Sequence, residues 1–457
     1  MTRLDAPYRM TLRRLLSPAA LLVTVLCIGA AGCAAGVGRT ASGPARPAMG
    51  NGDEMEADPF DAAAAWAEFE AELRASYAYL DRADAGALFA RARPLAQAAD
   101  TPAAFRAVAY RTLRAFADPH LIAGPLDATD YAVVPTASDL AVGYRAGRGG
   151  RLVVLDVRAG SAADSAGIRP GWWLVAVGGR PAAEAAREPF GAVVPDPTPR
   201  QFAFGATVAA AGVWDTPRQL TFEPPAGGRR EVALPPTSRF VRSLRDQPPL
   251  SVRRVERGDR AVGVVRFHNS LGDAATIAAF DAAVRDLSDA DALVVDLRDT
   301  PSGGNTDVAR SVIGHFVTEP RPYQVHGIPA VERATGVPRR FVELALPRAP
   351  HYAGPVVVLG GRWTGSMGEG LVVGLDAAAG ALTVGSDMGD LLGALWNRTL
   401  PISGLRLDLG GEALFHPDGT PREDYAMDVP LLSADRDADG GDPALAAALD
   451  ALALQDP

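Results

Sequence analysis

The sequence predicts an α/β fold: a core on a mostly parallel sheet, with an N-terminal helical cap and an inserted β-rich domain. Three patterns predict it. From about 258 to 435, continuous apolar runs alternate with amphipathic stretches, as buried parallel strands and their covering helices do. From 59 to 117, apolar residues recur at spacings of three and four. From 137 to 236, short apolar runs are cut by glycine turns. A chain of 457 residues has room for two or three such domains.

The N-terminus does not belong to the fold. Arg9, Arg13 and Arg14 precede an apolar stretch over 19–31 that is short for a membrane span and ends in small residues. That is the pattern of an export signal over 1–33. Ala30-Ala31-Gly32-Cys33 resembles a bacterial lipobox, with Ala30 standing where leucine is usual. The resemblance implies a lipid anchor on Cys33. It also implies an exported lipoprotein at the periplasmic face of a bacterial membrane, with Ala34 favouring the outer one. Cys27 lies inside the signal, so the mature chain has no pair of cysteines for a disulfide. Residues 34–58, rich in Gly, Ala and Pro without periodicity, read as a flexible tether.

The helical segment spans 59–136. Trp66, Phe69, Leu73, Tyr77 and Leu80 mark one face of its first helix. Thr101-Pro102 starts another, with Phe105, Val108, Leu113 and Phe116 along one side. It stops at Asp118-Pro119-His120, where proline cannot continue it. The β-rich segment spans 137–236. A strand over 152–155 leads to a short helix with a glycine stop at Gly167, then to a strand ending at Gly178-Gly179. This order resembles a PDZ domain of the bacterial protease type. The resemblance makes Val142, Gly143 and Tyr144 the edge that adds a peptide strand and holds a C-terminal carboxylate.

In the core, 237–457, strands are expected over 262–267, 292–297, 355–359 and 382–384. Helices are expected over 275–287, through Val308 and Phe316, after Ser366, and over 443–454.

Ser366, in Thr364-Gly365-Ser366-Met367-Gly368-Glu369, sits between a buried strand and a helix. Ser-x-x-Glu before an apolar run is also a capping box, in which the hydroxyl merely satisfies the helix start. The esterase elbow Gly-x-Ser-x-Gly fails at Thr364. A serine nucleophile needs a base. The chain has no lysine, since all 45 residues counted as Lys plus Arg are arginine. Arginine stays protonated and cannot serve. Six histidines remain: His120, His268, His315, His326, His351 and His416. His315 falls in an apolar helix and reads as a core residue; the spacing alone selects none of the others. The turn over 296–305 carries Gly303-Gly304 directly after a buried strand. Such glycines let backbone N–H groups approach a ligand, or simply admit the chain to a helix.

The order of these parts resembles the C-terminal processing (tail-specific) peptidase superfamily: helical cap, PDZ, Asp-Leu-Arg…Gly-Gly turn, then Ser-x-x-Glu after an apolar strand. The resemblance covers roughly 59–455 and implies a ClpP/crotonase-like peptidase core acting on polypeptides. One branch uses a Ser–Lys dyad, with lysine in a Gly-x-x-Thr-x-Gly-Lys segment. Here that segment is Gly385-Ser386-Asp387-Met388-Gly389-Asp390-Leu391, without the lysine. The tricorn-like branch uses serine, histidine and glutamate. Its pattern matches Ser366 as nucleophile, His120 as base and, loosely, Glu423 as the residue orienting His120. Met367 with Gly303 or Gly304 would supply the oxyanion hole. A non-catalytic peptide-binding lipoprotein on the same scaffold is the alternative, motivated by the missing lysine.

The net charge of −9 and the lack of a basic stripe argue against nucleic acid as a partner. No metal-ligand spacing or phosphate loop is present in the sequence, so no metal or cofactor is expected.

Overall fold

The structure, a computed structural model, describes residues 60–146, 150–244 and 246–454. The expected signal, Cys33 and the tether lie outside them. Six strands form the core sheet, in the order Val429–Pro430, Leu382–Gly385, Val356–Gly360, Ala292–Asp296, Arg260–Phe267 and Leu250–Arg257. Every neighbouring pair is parallel except the last, an antiparallel edge that the sequence reading did not anticipate. The strands are apolar on both faces because both are covered. Val295 and Val358 pack with Phe280, Val312 and Leu371 of the helices Ala275–Asp286, Thr306–Gly314 and Met367–Ala379. Val294 and Val357 pack with Ala444 and Ala448 of the terminal helix Pro443–Leu454. Each fully buried side chain of this size contributes roughly 1.5–3 kcal/mol.

The cap holds the helices Ala62–Ser76, Ala85–Gln97 and Pro102–Arg114. Each starts on a side-chain cap, from Asp61, Asp84 and Thr101. Trp66, Phe69, Leu73 and Tyr77 are all buried, as their spacing requires. Their core is completed from far along the chain, by Leu400, Leu405, Leu407 and Leu409. These belong to a second, antiparallel sheet of Ile122–Gly124, Leu405–Phe415, Arg321–Gly327 and Arg340–Ala345, with Ala394–Leu400 paired to Leu405–Phe415. The cap and this sheet therefore share one apolar cluster.

The β-rich segment is a third antiparallel sheet, in the order Leu140–Arg145, Arg151–Val157, Trp173–Val177, Arg218–Glu223 and Arg230–Leu234, with Arg180–Pro181 at its side. Helix Pro199–Ala211 lies against Leu140–Arg145. Thr207 Oγ1 there receives the Val142 N–H at 3.2 Å and has the Ala203 carbonyl at 3.2 Å and the Val142 carbonyl at 3.4 Å as acceptors for its single proton. The edge expected at Val142, Gly143 and Tyr144 is thus closed at Val142, because a hydroxyl of the neighbouring helix already takes that residue's N–H. A cleft of about 220 Å³ lined by Val142 and Gly143 remains between that strand, the helix and Trp363 of the core. Buried polar bonds fasten this segment to the core. Arg158 pairs with Asp299 and donates to the Thr136 carbonyl at 2.9 Å. The Trp363 indole N–H donates to the Ser138 carbonyl at 2.9 Å.

Candidate active site

Two neighbouring parallel strands build the site. Asp296 and Leu359 are register partners, so the turns that follow them leave the same end of the sheet. That is where open α/β sheets bind ligands. The turns are tied together: Thr300 bridges Thr364, and the Gly365 N–H donates to the Thr300 carbonyl at 3.0 Å. Glycine is required where they touch. A Cβ on Gly368 would lie 2.3 Å from Thr300 Oγ1, and one on Gly304 would lie 2.7 Å from the Met367 Cβ.

Ser366 caps the helix Met367–Ala379 with φ 54° and ψ −114°. A non-glycine residue at positive φ is strained by about 1–3 kcal/mol, and such strain collects at functional turns. This is the sharp strand-to-helix turn of a nucleophile elbow, formed without the glycine that the motif places at position 364. The Ser366 N–H donates to Glu369 Oε2 at 2.9 Å, so the capping-box glutamate serves the backbone of the turn. Met367 opens the helix, and its N–H has no intrahelical acceptor. A Cβ added to Gly303 would lie 3.7 Å from Ser366 Oγ. Ser366, Met367, Gly303 and Gly304 line one cleft of about 350 Å³. The structure thus brings together the serine and all three expected oxyanion donors.

His120 is 4% exposed and is not among the residues lining that cleft. Its Nδ1 is 2.9 Å from the Leu392 carbonyl oxygen. A carbonyl only accepts, so Nδ1 carries the proton and Nε2 keeps a free lone pair. No protein group partners that buried Nε2 among the described residues. Burial lowers the His120 pKa to about 4, with the Arg422 charge adding to the effect. At neutral pH it is an uncharged base. Arg422 links the two residues: it donates to the Ser366 carbonyl at 3.2 Å and to the Leu391 carbonyl at 2.5 Å, one residue before the carbonyl that holds His120.

Glu423 does not take the role expected for it. Nδ1 of His120 is already occupied by Leu392, and the half-buried Glu423 carboxyl has Arg82, Arg422 and Asp424 as its charged neighbours. The carboxylate that positions His120 is Asp118. Its Oδ1 accepts from the N–H groups of His120 at 2.9 Å and Leu392 at 3.2 Å, and its Oδ2 accepts from Tyr77 at 2.9 Å. Burial pushes Asp118 up to about 7. The Asp118-Pro119-His120 string held this signal, but a helix-stop reading absorbed the aspartate.

The segment that lacks the lysine is held by the same glutamate as the serine. Glu369 Oε1 accepts from Asp390 N–H at 2.7 Å and Leu391 N–H at 3.3 Å. Burial raises Glu369 to about 8, although Arg422 at 3.3 Å opposes it. The Asp390 side chain points to Arg82 and Arg200, at 3.0 and 2.7 Å.

Sequence reasoning passed over His326. It lines the cleft beside Ser366, with Nδ1 2.6 Å from Glu412 and its ring stacked on Phe341. His315 is a core residue as expected, fully buried against Asp281 and the Pro350 carbonyl.

Residues 261–428 match the family model of peptidase family S41. That stretch, part of the core, is what the chain has in common with the family. Solved structures agree on the fold. Mature CPAF complexed with lactacystin aligns with TM-score 0.56 and 16% identity, over 86% of this chain and 97% of that one. The photosystem II D1 C-terminal processing protease aligns with TM-score 0.52 and 18% identity, over 81% and 93%. A second structure of mature CPAF aligns with TM-score 0.53 and 16% identity, over 83% and 93%. No curated protein matches the chain by sequence.

Proposed function

We propose that this protein is a serine endopeptidase of the S41 kind, independent of lysine, with Ser366 as nucleophile and His120 as base. The observation that carries the proposal is a strained Ser366 tied through Arg422 to the 391–392 backbone, whose Leu392 carbonyl holds a buried imidazole with an unpartnered Nε2. Ser366 Oγ attacks a peptide carbonyl. His120 Nε2 takes the hydroxyl proton and returns it to the leaving amine. The Leu392 carbonyl, placed by Asp118, holds Nδ1–H and stabilises the imidazolium. N–H groups of Met367 and of Gly303 or Gly304 bind the oxyanion. Loss of a general base typically costs ~100- to 10,000-fold. His120→Ala is therefore expected to lower kcat/KM for an unfolded reporter by at least about 100-fold. Wild-type activity in that variant sinks the assignment.

In this proposal the β-rich segment is a PDZ-like domain that recruits or gates substrates, and Cys33 anchors the protein at the periplasmic face of the membrane. A second reading, a non-catalytic peptide binder, is favoured by one observation: His120 is absent from the residues lining the serine cleft. Covalent labelling of Ser366 separates the two.

A further inference from the structure

The cleft lined by the Gly303-Gly304 turn also carries polar groups that the proposed mechanism does not use. Gln324 and His326 lie on strand Arg321–Gly327, two residues apart, so both side chains leave the same face of the strand. Both line the cleft that holds Ser366. Gln324 is 3% exposed. The end of its amide recorded as Nε2 lies 2.9 Å from His326 Nε2, and the other end has no hydrogen-bond partner. A buried amide end without a partner costs about 1–3 kcal/mol unless something else fills the position. Room for the amide comes from the neighbouring helix: a Cβ on Gly370 would stand only 3.0 Å from it.

The surroundings of His326 decide which end faces the cleft. Nδ1 is 2.6 Å from Glu412 and Nε2 is 3.6 Å from Glu343. Burial disfavours a charge on the ring, but the two carboxylates prevail and hold its proton above the usual histidine range. A carboxylate faces each ring nitrogen, so both nitrogens are placed to donate. Gln324 then turns its carbonyl oxygen toward His326, and its NH2 group is left as a buried donor without a partner in the cleft wall, beside Gly370. Arg422 on the same wall adds a positive charge. Leu395 and Leu414 supply apolar surface beside them.

We propose that Gln324, oriented by His326, is a specificity residue. It selects peptides whose side chain beside the scissile bond ends in a hydrogen-bond acceptor, an amide or a carboxylate, over apolar and cationic ones. The inference rests on the peptidase reading only for where the side chain lies; the recognition itself is a binding property. His326 acts through Gln324 as a positioning residue.

The test uses peptides identical except at the residue next to the cleaved bond, which is Gln, Glu, Met or Lys. kcat/KM is measured for the wild type, Gln324→Met and Gln324→Glu. Dissociation constants for the same peptides are measured by fluorescence anisotropy in the Ser366→Ala background. The wild-type wall should favour Gln or Glu over Met by about tenfold, the worth of one buried neutral hydrogen bond. Gln324→Met should bring that ratio near one. Gln324→Glu, which only accepts, should turn the preference toward Lys, an outcome that a purely structural role would not produce. Gln against Glu separates amide from carboxylate recognition. A wild-type ratio near one, no reversal in Gln324→Glu, or no binding in the Ser366→Ala background overturns the proposal. Absent cleavage with the binding ratio intact refutes the peptidase reading and leaves this inference standing.

Discussion

If His120 is the base, the pH at which the enzyme fails in acid is set by a buried imidazole. Its pKa lies at about 4 in the folded chain, against an ordinary value of 6.5. That difference is worth about 3 kcal/mol against protonation. At pH 5.5 a base with pKa 4 is about 97% neutral, whereas one at 6.5 is about 9% neutral. The free-enzyme profile, kcat/KM against pH, should therefore stay nearly flat from 6.5 down to about 5 and fall near 4. The assay is cleavage of one fluorogenic peptide across pH 4–8, with the rate of fluorophosphonate labelling as a second readout. Asp118 and Glu369 change charge near 7 and 8, so the profile is also measured in Asp118→Asn, which lacks the first of these titrations. An acid limb at 6.5 or higher that persists in Asp118→Asn refutes the reasoning. It would point to His326, whose proton is held above the usual range despite burial. The linkage sign gives an independent check. A depressed histidine pKa contributes stability that is complete above 6.5 and lost as pH falls through 4, so Tm should decline across that window. His120→Gln should remove part of that decline.

Other outcomes follow from the same geometry. Burial pushes the Asp299 carboxyl up, but Arg158 pulls it below its ordinary value. Arg158→Met strands that charge and should cost about 3–5 kcal/mol in urea unfolding. Ser366→Gly and Ser366→Ala should both abolish cleavage, but glycine relieves the positive φ and should leave the protein about 1 kcal/mol more stable than alanine does, read as a shift in urea midpoint. A Cβ on Gly385, at φ 152°, would sit 1.8 Å from the Gly360 carbonyl oxygen. Gly385→Ala should therefore destabilise the protein by more than about 3 kcal/mol, the range of severe core lesions, and yield little soluble protein.

The parallel core was legible because its strands are covered on both faces. Runs such as Val294-Val295 and Val357-Val358 have no solvent side to interrupt them. The cap helices were legible from period, since Trp66, Phe69 and Leu73 face one cluster. The second sheet was not read. Its strand Ala394–Leu400 alternates half-buried with exposed positions, and its apolar partners lie some 300 residues away in the cap. Ser366 was legible as a strand-to-helix serine, yet its strained turn was not, because Thr364 breaks the familiar motif. His120 could be named only through a family pattern. Its free Nε2 depends on a carbonyl at Leu392, and no spacing rule relates residues 120 and 392. His326 was missed because a lone histidine in a strand carries no signal until Glu412 and Glu343 are brought to it from elsewhere.

The central claim is that Ser366 is activated by His120. The most direct measurement is the rate at which a fluorophosphonate probe modifies Ser366, followed by intact mass in the wild type, Ser366→Ala, His120→Ala and His326→Ala. The account predicts one adduct on the wild type, none on Ser366→Ala, and labelling slowed by about 100-fold or more in His120→Ala. No adduct on the wild type, or labelling of His120→Ala at the wild-type rate, would contradict it.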